Sequence, residues 1–280
     1  MKQPHGEHSS SVTPDQSLRE AAMLRELNLY PLWRLRAQPS PRFKPAPASA
    51  LSPDELPQAA PAELLEPVRT TVLDGTPPFA HMGWEELQAR VQSCTACPLR
   101  ASCTQTVFGV GNRNADWLFV GEGPGAEEDL QGEPFVGQAG KLLDSMLMAI
   151  GLDRKHTVYI ANVVKCRPPG NRTPQSDEIA QCLPYLRRQI ELLRPRVIVA
   201  LGATAASALL GRPATIGQLR GNVHEYHAAP DSLMGIPLII TYHPAYLLRT
   251  PPDKAKAWQD LRLAVATMKS REQLERSGLE

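Results

Sequence analysis

The chain carries no apolar run that approaches the ~18 residues of a membrane-spanning helix. Its opening residues, MKQPHGEHSSSVTPDQ, contain no apolar stretch of the kind that forms a secretory leader. It has no excess of charge, because 30 Lys and Arg against 29 Asp and Glu leave a net +1. It has no internal repeat. These absences narrow the reading. No membrane association is expected, and the expected location is the cytoplasm. A coat of positive charge for nucleic acid is excluded, although a local basic patch is not. Structural disulfides are rare in the cytosol, so the five cysteines point first to metal binding or catalysis.

The 280 residues, 42% of them apolar, suffice for a sizeable core. They are unevenly distributed. The first 80 residues hold 13 of the 27 prolines, and the stretch RAQPSPRFKPAPASALSPDELPQAAPAELLEP sustains neither a helix nor a central strand. Residues 1–80 are therefore expected to form a flexible, proline-rich extension. Leucines at helical spacing mark one short amphipathic helix within it, at 17–36, a possible docking segment for a protein partner.

The texture changes over residues 81–280. Short apolar, β-branched runs at 117–120, 157–164, 196–201 and 237–242 look apolar on both faces, as buried parallel strands do. Helical patterns lie between and after them, at 141–150, 176–193, 204–210 and 254–273. Alternation of this kind predicts a three-layer α/β/α sandwich around a mostly parallel, four-stranded sheet. Ligands of such sheets sit beyond the carboxyl ends of the strands. There the sequence places the glycine loop with Glu122, then Asn162, then Gly202 and Thr204, then His243. One carboxylate, one amide and one imidazole are thus brought to a single rim.

The loop after the first strand, GEGPGAEEDLQGEPFVGQAGK from Gly121, holds six glycines. It lacks the spacing of a dinucleotide fingerprint, and Gly140-Lys141 is followed by leucine instead of the hydroxyl residue of a phosphate loop. Glu122, Glu127, Glu128 and Asp129 would repel a polyphosphate. A flat, neutral ligand approached by backbone N–H groups suits the loop better. Phe135 offers such a ligand a stacking face. Asn162, with an acceptor and a donor side by side, matches the imide edge of a pyrimidine. Among the cysteines, Cys94 and Cys97 form a C-x-x-C pair, while Cys166 and Cys182 lie far along the chain. Together they make a four-thiolate site for zinc or an iron–sulfur cluster, with Cys103 as a substitute ligand. A redox pair with two buried thiols is the competing reading.

In this order and with these gaps, the motifs CTAC from Cys94, GEGPGAEED from Gly121, PFVG from Pro134, NVVKCRPP from Asn162, Cys182 and HPAYLLR from His243 resemble the uracil-DNA glycosylase superfamily. The resemblance is nearest to its family 4, the iron–sulfur enzymes of thermophile type, and covers roughly residues 84–269. It implies a structural [4Fe–4S] cluster on Cys94, Cys97, Cys166 and Cys182. It implies hydrolysis of the bond between uracil and deoxyribose in uracil-containing DNA, by a monomer. On this reading His243 donates to uracil O2, and the backbone N–H groups of Glu122 and Gly123 assist it. Phe135 stacks on the base, and Asn162 reads its edge and rejects cytosine. Glu122 positions water or stabilises the sugar, supported by Asn171, with Glu128 as an alternative carboxylate. The target nucleotide has to leave the stack, which suggests Leu247 or Leu248 as an apolar wedge. Arg249, Arg167, Arg172 and Lys165 are the candidate phosphate contacts. A covalent DNA-trapping relative would need a histidine in the loop at 168–174, which has none. A non-enzymatic iron–sulfur DNA-binding module is the remaining alternative, and it leaves Glu122, Asn162 and His243 without a task.

Overall fold

The chain divides between Thr76 and Pro77 into two units. A computed structural model describes residue 79 and residues 81–213, 215–228 and 235–277, all in the second unit. The expected helix at 17–36 and the proline-rich extension lie outside the described residues.

Four parallel strands form the centre of the sheet: β2 (Trp117–Gly121), β3 (Val158–Asn162), β4 (Val197–Leu201) and β6 (Ile236–Thr241). Every residue of β2, β3 and β4 is buried. Their side chains alternate between two cores. Leu118, Val120, Ala161, Ile198 and Ala200 face one side. Trp117, Phe119, Val158, Ile160, Val199 and Ile239 face the other. This double burial is why the strands read as continuous apolar runs, without the polar alternation of a half-exposed sheet.

The sheet has six strands where the sequence suggested four. Short antiparallel strands close both edges: β1 (Val110–Gly111) beside β3, and β5 (Val223–Tyr226) beside β6. The first has only two residues. The second, Val-His-Glu-Tyr, is largely exposed and has no apolar run. Neither has a compositional signal that would mark it.

Helices cover both faces. On one lie α1 (Trp84–Gln92), α5 (Ser176–Leu193), α6 (Ala203–Leu210) and the short α7 (Ile216–Leu219). The stripe of α5 buries Cys182, Leu186, Ile190 and Leu193, and its capping box at Gln175 and Glu178 sets its start. On the other face lie α4 (Gln138–Ala149), α8 (Pro244–Arg249) and α9 (Lys254–Ser277). Two short helices shape the loops, α2 (Leu99–Ser102) between α1 and β1 and α3 (Ala126–Gln131) between β2 and α4. No helix among the described residues is long and apolar enough to cross a membrane.

In the order β3-β2-β4-β6 successive strands are laid down first on one side of β2 and then on the other, so the topological switch lies between β2 and β4. That is the position where an open α/β sheet leaves a crevice at its carboxyl edge. Gly121 pairs with Asn162, and Leu201 pairs with Thr241. The residues that follow these strand ends therefore share one rim.

Candidate active site

A cleft of about 730 Å³ opens on this rim, lined by Glu122, Gly123, Glu128, Phe135, Asn162, Asn171, Arg172, Thr204, His243 and Arg249 among others. Glu122, Asn162 and His243 thus face a common cavity.

The floor is built by close approach. A Cβ on Gly121 would strike the Asn162 amide oxygen and lie 2.5 Å from Cζ of Phe135. Any side chain there would fill the slot between amide and ring. The turn that presents Phe135 is held in a left-handed conformation, φ 56°. Two side chains, Arg154 and Glu128, secure it. Arg154 donates to the carbonyl oxygens of Pro134, at 2.9 Å, and of Phe135, while its Nε reaches Asp144 at 2.7 Å. Glu128 accepts from the N–H groups of Gly125, Val136 and Gly137 at 3.0–3.1 Å. The side chain of Glu128 thereby ties the glycine loop to the phenylalanine turn.

Asn162 is 2% exposed, and its Oδ1 has no hydrogen-bond partner among the described residues. A buried amide oxygen left without a donor carries a desolvation cost of ~1–3 kcal/mol. A ligand N–H in the cleft would remove that cost. The backbone behind Asn162 is fixed by Lys165, whose Nζ donates to the Asn162 carbonyl at 2.9 Å and to Gln189 Oε1 at 2.6 Å. Lys165 is 1% exposed, and burial lowers its pKa to about 8. It is therefore removed from the candidate phosphate contacts, because its ammonium points into the protein.

His243 caps α8, and its Nδ1 accepts from the backbone N–H of Ala245 at 3.2 Å. A backbone N–H only donates, so the ring proton belongs on Nε2. Burial, reinforced by the nearby Arg249 charge, lowers the histidine pKa to about 4. At neutral pH the site thus holds a neutral imidazole with one N–H to give. Its ring lies 5.5 Å from that of Phe135, tilted by 31°. Glu122, which lines the same cleft, accepts from the hydroxyl of Thr204.

The outer rim is polar. Asn171, also in a left-handed conformation at φ 56°, accepts from Arg167 Nε at 2.7 Å. Arg172 makes a two-pronged ion pair with the buried Glu178, at 2.6 and 2.8 Å. Its charge is largely committed to that pair, which weakens it as a phosphate ligand. Arg249 is exposed at the end of α8. Of the two wedge candidates, Leu247 is 1% exposed and belongs to the core beneath α8, whereas Leu248 is 42% exposed. Leu247 is removed as a wedge, because the helix turns it inward.

Cys94, Cys97, Cys166 and Cys182 line one small cavity of about 20 Å³, walled by Val91, Leu99 and Tyr185. Cys103 does not line it. Burial pushes the Cys182 thiol up to about 11 and raises Cys97 and Cys166 as well. The Lys165 backbone N–H donates to the Cys182 sulfur at 3.2 Å. Four soft donors around one small cavity walled by apolar side chains fit a group held by thiolates. Among the described residues no three His, Cys, Asp or Glu side chains converge on a single-ion position.

Sequence reasoning set Thr204 on the rim, two positions after Gly202, without giving it a task, and it missed Arg154 and the clamp made by Glu128.

The sheet order and the cleft define an α/β/α sandwich with a polar cleft at the carboxyl edge of its sheet. A family profile described as "Uracil DNA glycosylase superfamily" matches residues 108–262, more than half of the chain. The chain belongs to that superfamily. It is 51% identical over 173 residues to the type-4 uracil-DNA glycosylase of Thermotoga maritima, a span of 61% of this chain and 86% of the relative. The type-4 uracil-DNA glycosylase of Archaeoglobus fulgidus is 46% identical over 171 residues, covering 60% and 84% of the two chains. The type-5 uracil-DNA glycosylase of Pyrobaculum aerophilum stands further off, at 30% identity over 197 residues, with 59% of this chain and 84% of the relative covered.

Proposed function

We propose that the protein is a uracil-DNA glycosylase that hydrolyses the N-glycosidic bond of deoxyuridine in DNA and leaves an abasic site. The observation that carries this reading is the unpartnered, buried Asn162 Oδ1 facing the same cleft as the Phe135 ring and the neutral His243 imidazole. Uracil N3–H is a donor, and its O4 is an acceptor for the amide nitrogen of Asn162. Cytosine presents an acceptor at N3 and a donor at N4, which opposes the asparagine at both atoms.

The bond between C1′ and N1 breaks with its electron pair on the base. Uracil departs as an anion, and the sugar becomes oxocarbenium-like. Negative charge gathers at O2, where His243 Nε2–H donates, joined by the backbone N–H groups of Glu122 and Gly123. Such preorganised donors act most strongly on the charge that develops in the transition state. The Glu122 carboxylate stabilises the cationic sugar and orients the attacking water, with Asn171 at the rim in support. The water oxygen bonds to C1′; one of its protons stays on the new hydroxyl, and the other passes through solvent to the departing anion, so that neutral uracil leaves.

A base within a duplex must be extruded to reach this cleft. Leu248 is the side chain placed to fill the gap it leaves, and Arg249 and Arg167 contact the backbone. Leu248→Ala is expected to slow uracil release from duplex DNA about tenfold, because unstacking costs a few kcal/mol. Release from single strands should change much less. Equal losses on both substrates would remove Leu248 as the wedge.

Cys94, Cys97, Cys166 and Cys182 would hold a [4Fe–4S] cluster that pins the loop before β1, the segment after β3 and α5 to one another. When bound, it supplies structural cross-linking and no part of the hydrolysis. The purified protein is expected to absorb in the visible and to carry roughly four irons per chain. Cys182→Ala should lose iron and melt at a lower temperature. One zinc per chain without visible absorption would contradict the assignment.

The enzyme reading is tested by incubating a U·G duplex oligonucleotide with the wild type, His243→Ala and Asn162→Ala. Uracil release by the wild type, much reduced in both variants, is the expected result. A wild type that binds the duplex without releasing uracil would point to the non-enzymatic alternative.

A further inference from the structure

The geometry points to Thr204 as a positioning residue for Glu122. This inference rests on the glycosylase reading and deepens it. Glu122 follows the end of β2, in a loop rich in glycine, and such backbone does little to fix a side-chain rotamer. A long carboxylate there needs an external partner to hold one direction. Among the described residues the hydrogen bond from Thr204 Oγ1 is the one its carboxylate makes, on Oε2. Oε1 is left for the cleft.

Thr204 lies in the first turn of α6, just after Gly202, which follows the end of the neighbouring strand β4 and caps the helix. Gly202 itself adopts φ +94°, with a Cβ position 3.1 Å from that of His243. The left-handed glycine therefore serves two ends. It lets His243 approach the end of β4, and it turns the chain into α6, whose Thr204 hydroxyl reaches Glu122. The free N–H groups of that first turn favour a negative charge nearby. The hydroxyl spends its single proton on the carboxylate, and the strand-end pairing of Gly202 N–H with the Thr241 carbonyl at 2.9 Å fixes where that hydroxyl stands. Thr204 lines the cleft at the crevice between β2 and β4, so it acts through Glu122 from within the site.

A helix-start threonine kept only for folding would behave differently from a positioning one. Thr204→Val keeps the shape and removes the hydroxyl, whereas Thr204→Ser keeps the hydroxyl. Single-turnover uracil release and affinity for uracil-containing DNA are measured separately for both, alone and combined with Glu122→Gln. Thr204→Val should lower the release rate roughly 10- to 100-fold, the scale of a misplaced catalytic group. Its DNA affinity should change less than about threefold, and Thr204→Ser should stay within about threefold of the wild type. In the Glu122→Gln background, Thr204→Val should add little, because the two side chains act as a unit. A Thr204→Val protein with the wild-type release rate would overturn the inference while leaving the glycosylase reading intact. Full additivity with Glu122→Gln would overturn it too. A wild type that releases no uracil would instead remove the reading beneath it.

Discussion

His243→Ala is expected to lower the single-turnover rate of uracil release roughly 10²- to 10³-fold, with little change in affinity for DNA. That is the usual loss when one preorganised donor to a developing oxyanion is removed. The imidazole is suited to the role by its fixed tautomer. Nδ1 is occupied by the Ala245 N–H, so Nε2 carries the proton toward the cleft. Glutamine at this position restores a donor without the geometry and should recover only part of the loss. The same residue leaves a mark on stability. Its folded pKa, about 4, lies below the ~6.5 of an unfolded histidine, so the unfolded chain binds more protons between those values. The stability tied to the neutral ring is complete above pH ~6.5 and is lost as pH falls toward 4. Melting temperatures of the wild type should fall across that window more steeply than those of His243→Ala. Parallel curves would show that the ring is not held neutral by its surroundings.

Asn162→Ala is expected to act on selectivity as well as rate. A site built to hydrogen-bond one edge rejects a ligand lacking that pattern by ~10⁴–10⁵, because its buried polar groups are otherwise left unpaired. Truncation removes both the match to uracil and the mismatch to cytosine. Uracil release should drop by roughly 10² or more, and the ratio of uracil to cytosine release should fall by a larger factor. Asn162→Asp is the sharper variant, since a carboxyl group that shares a proton can pair with the N3 and N4 edge of cytosine. Measurable release of cytosine by Asn162→Asp, absent in the wild type, is the expected gain. If Asn162→Ala keeps its preference for uracil, selectivity lies elsewhere in the cleft.

The sequence disclosed what depends on double burial and on strand ends. Both faces of Trp117, Leu118, Phe119 and Val120 are apolar because helices cover both sides of β2. Hence the parallel strands were visible, and so was the rim where Glu122, Asn162 and His243 meet. The bounds of α5 were legible for a related reason: its buried stripe and its capping residues sit in one continuous pattern. Edge strands carry no such pattern. β5 is exposed at Val223 and Glu225, and β1 is too short to show one.

Side-chain direction was the other blind spot. Leu247 and Leu248 are equal in sequence, and only the phase of the six-residue α8 buries one and exposes the other. Lys165 reads as a surface cation next to Arg167. Gln189, from a distant helix, and the Asn162 carbonyl provide the acceptors that let it sit inside. Glu128 lies among other acidic residues of the glycine loop, and nothing local separates a loop charge from one that accepts three backbone N–H groups.

The most direct measurement is a crystal structure of the protein with uracil in the cleft. The base should lie against Phe135, with N3–H on the Asn162 carboxamide oxygen and O2 within hydrogen-bond distance of His243 Nε2. Uracil bound with that edge toward solvent, or with the imidazole turned from O2, would contradict the account.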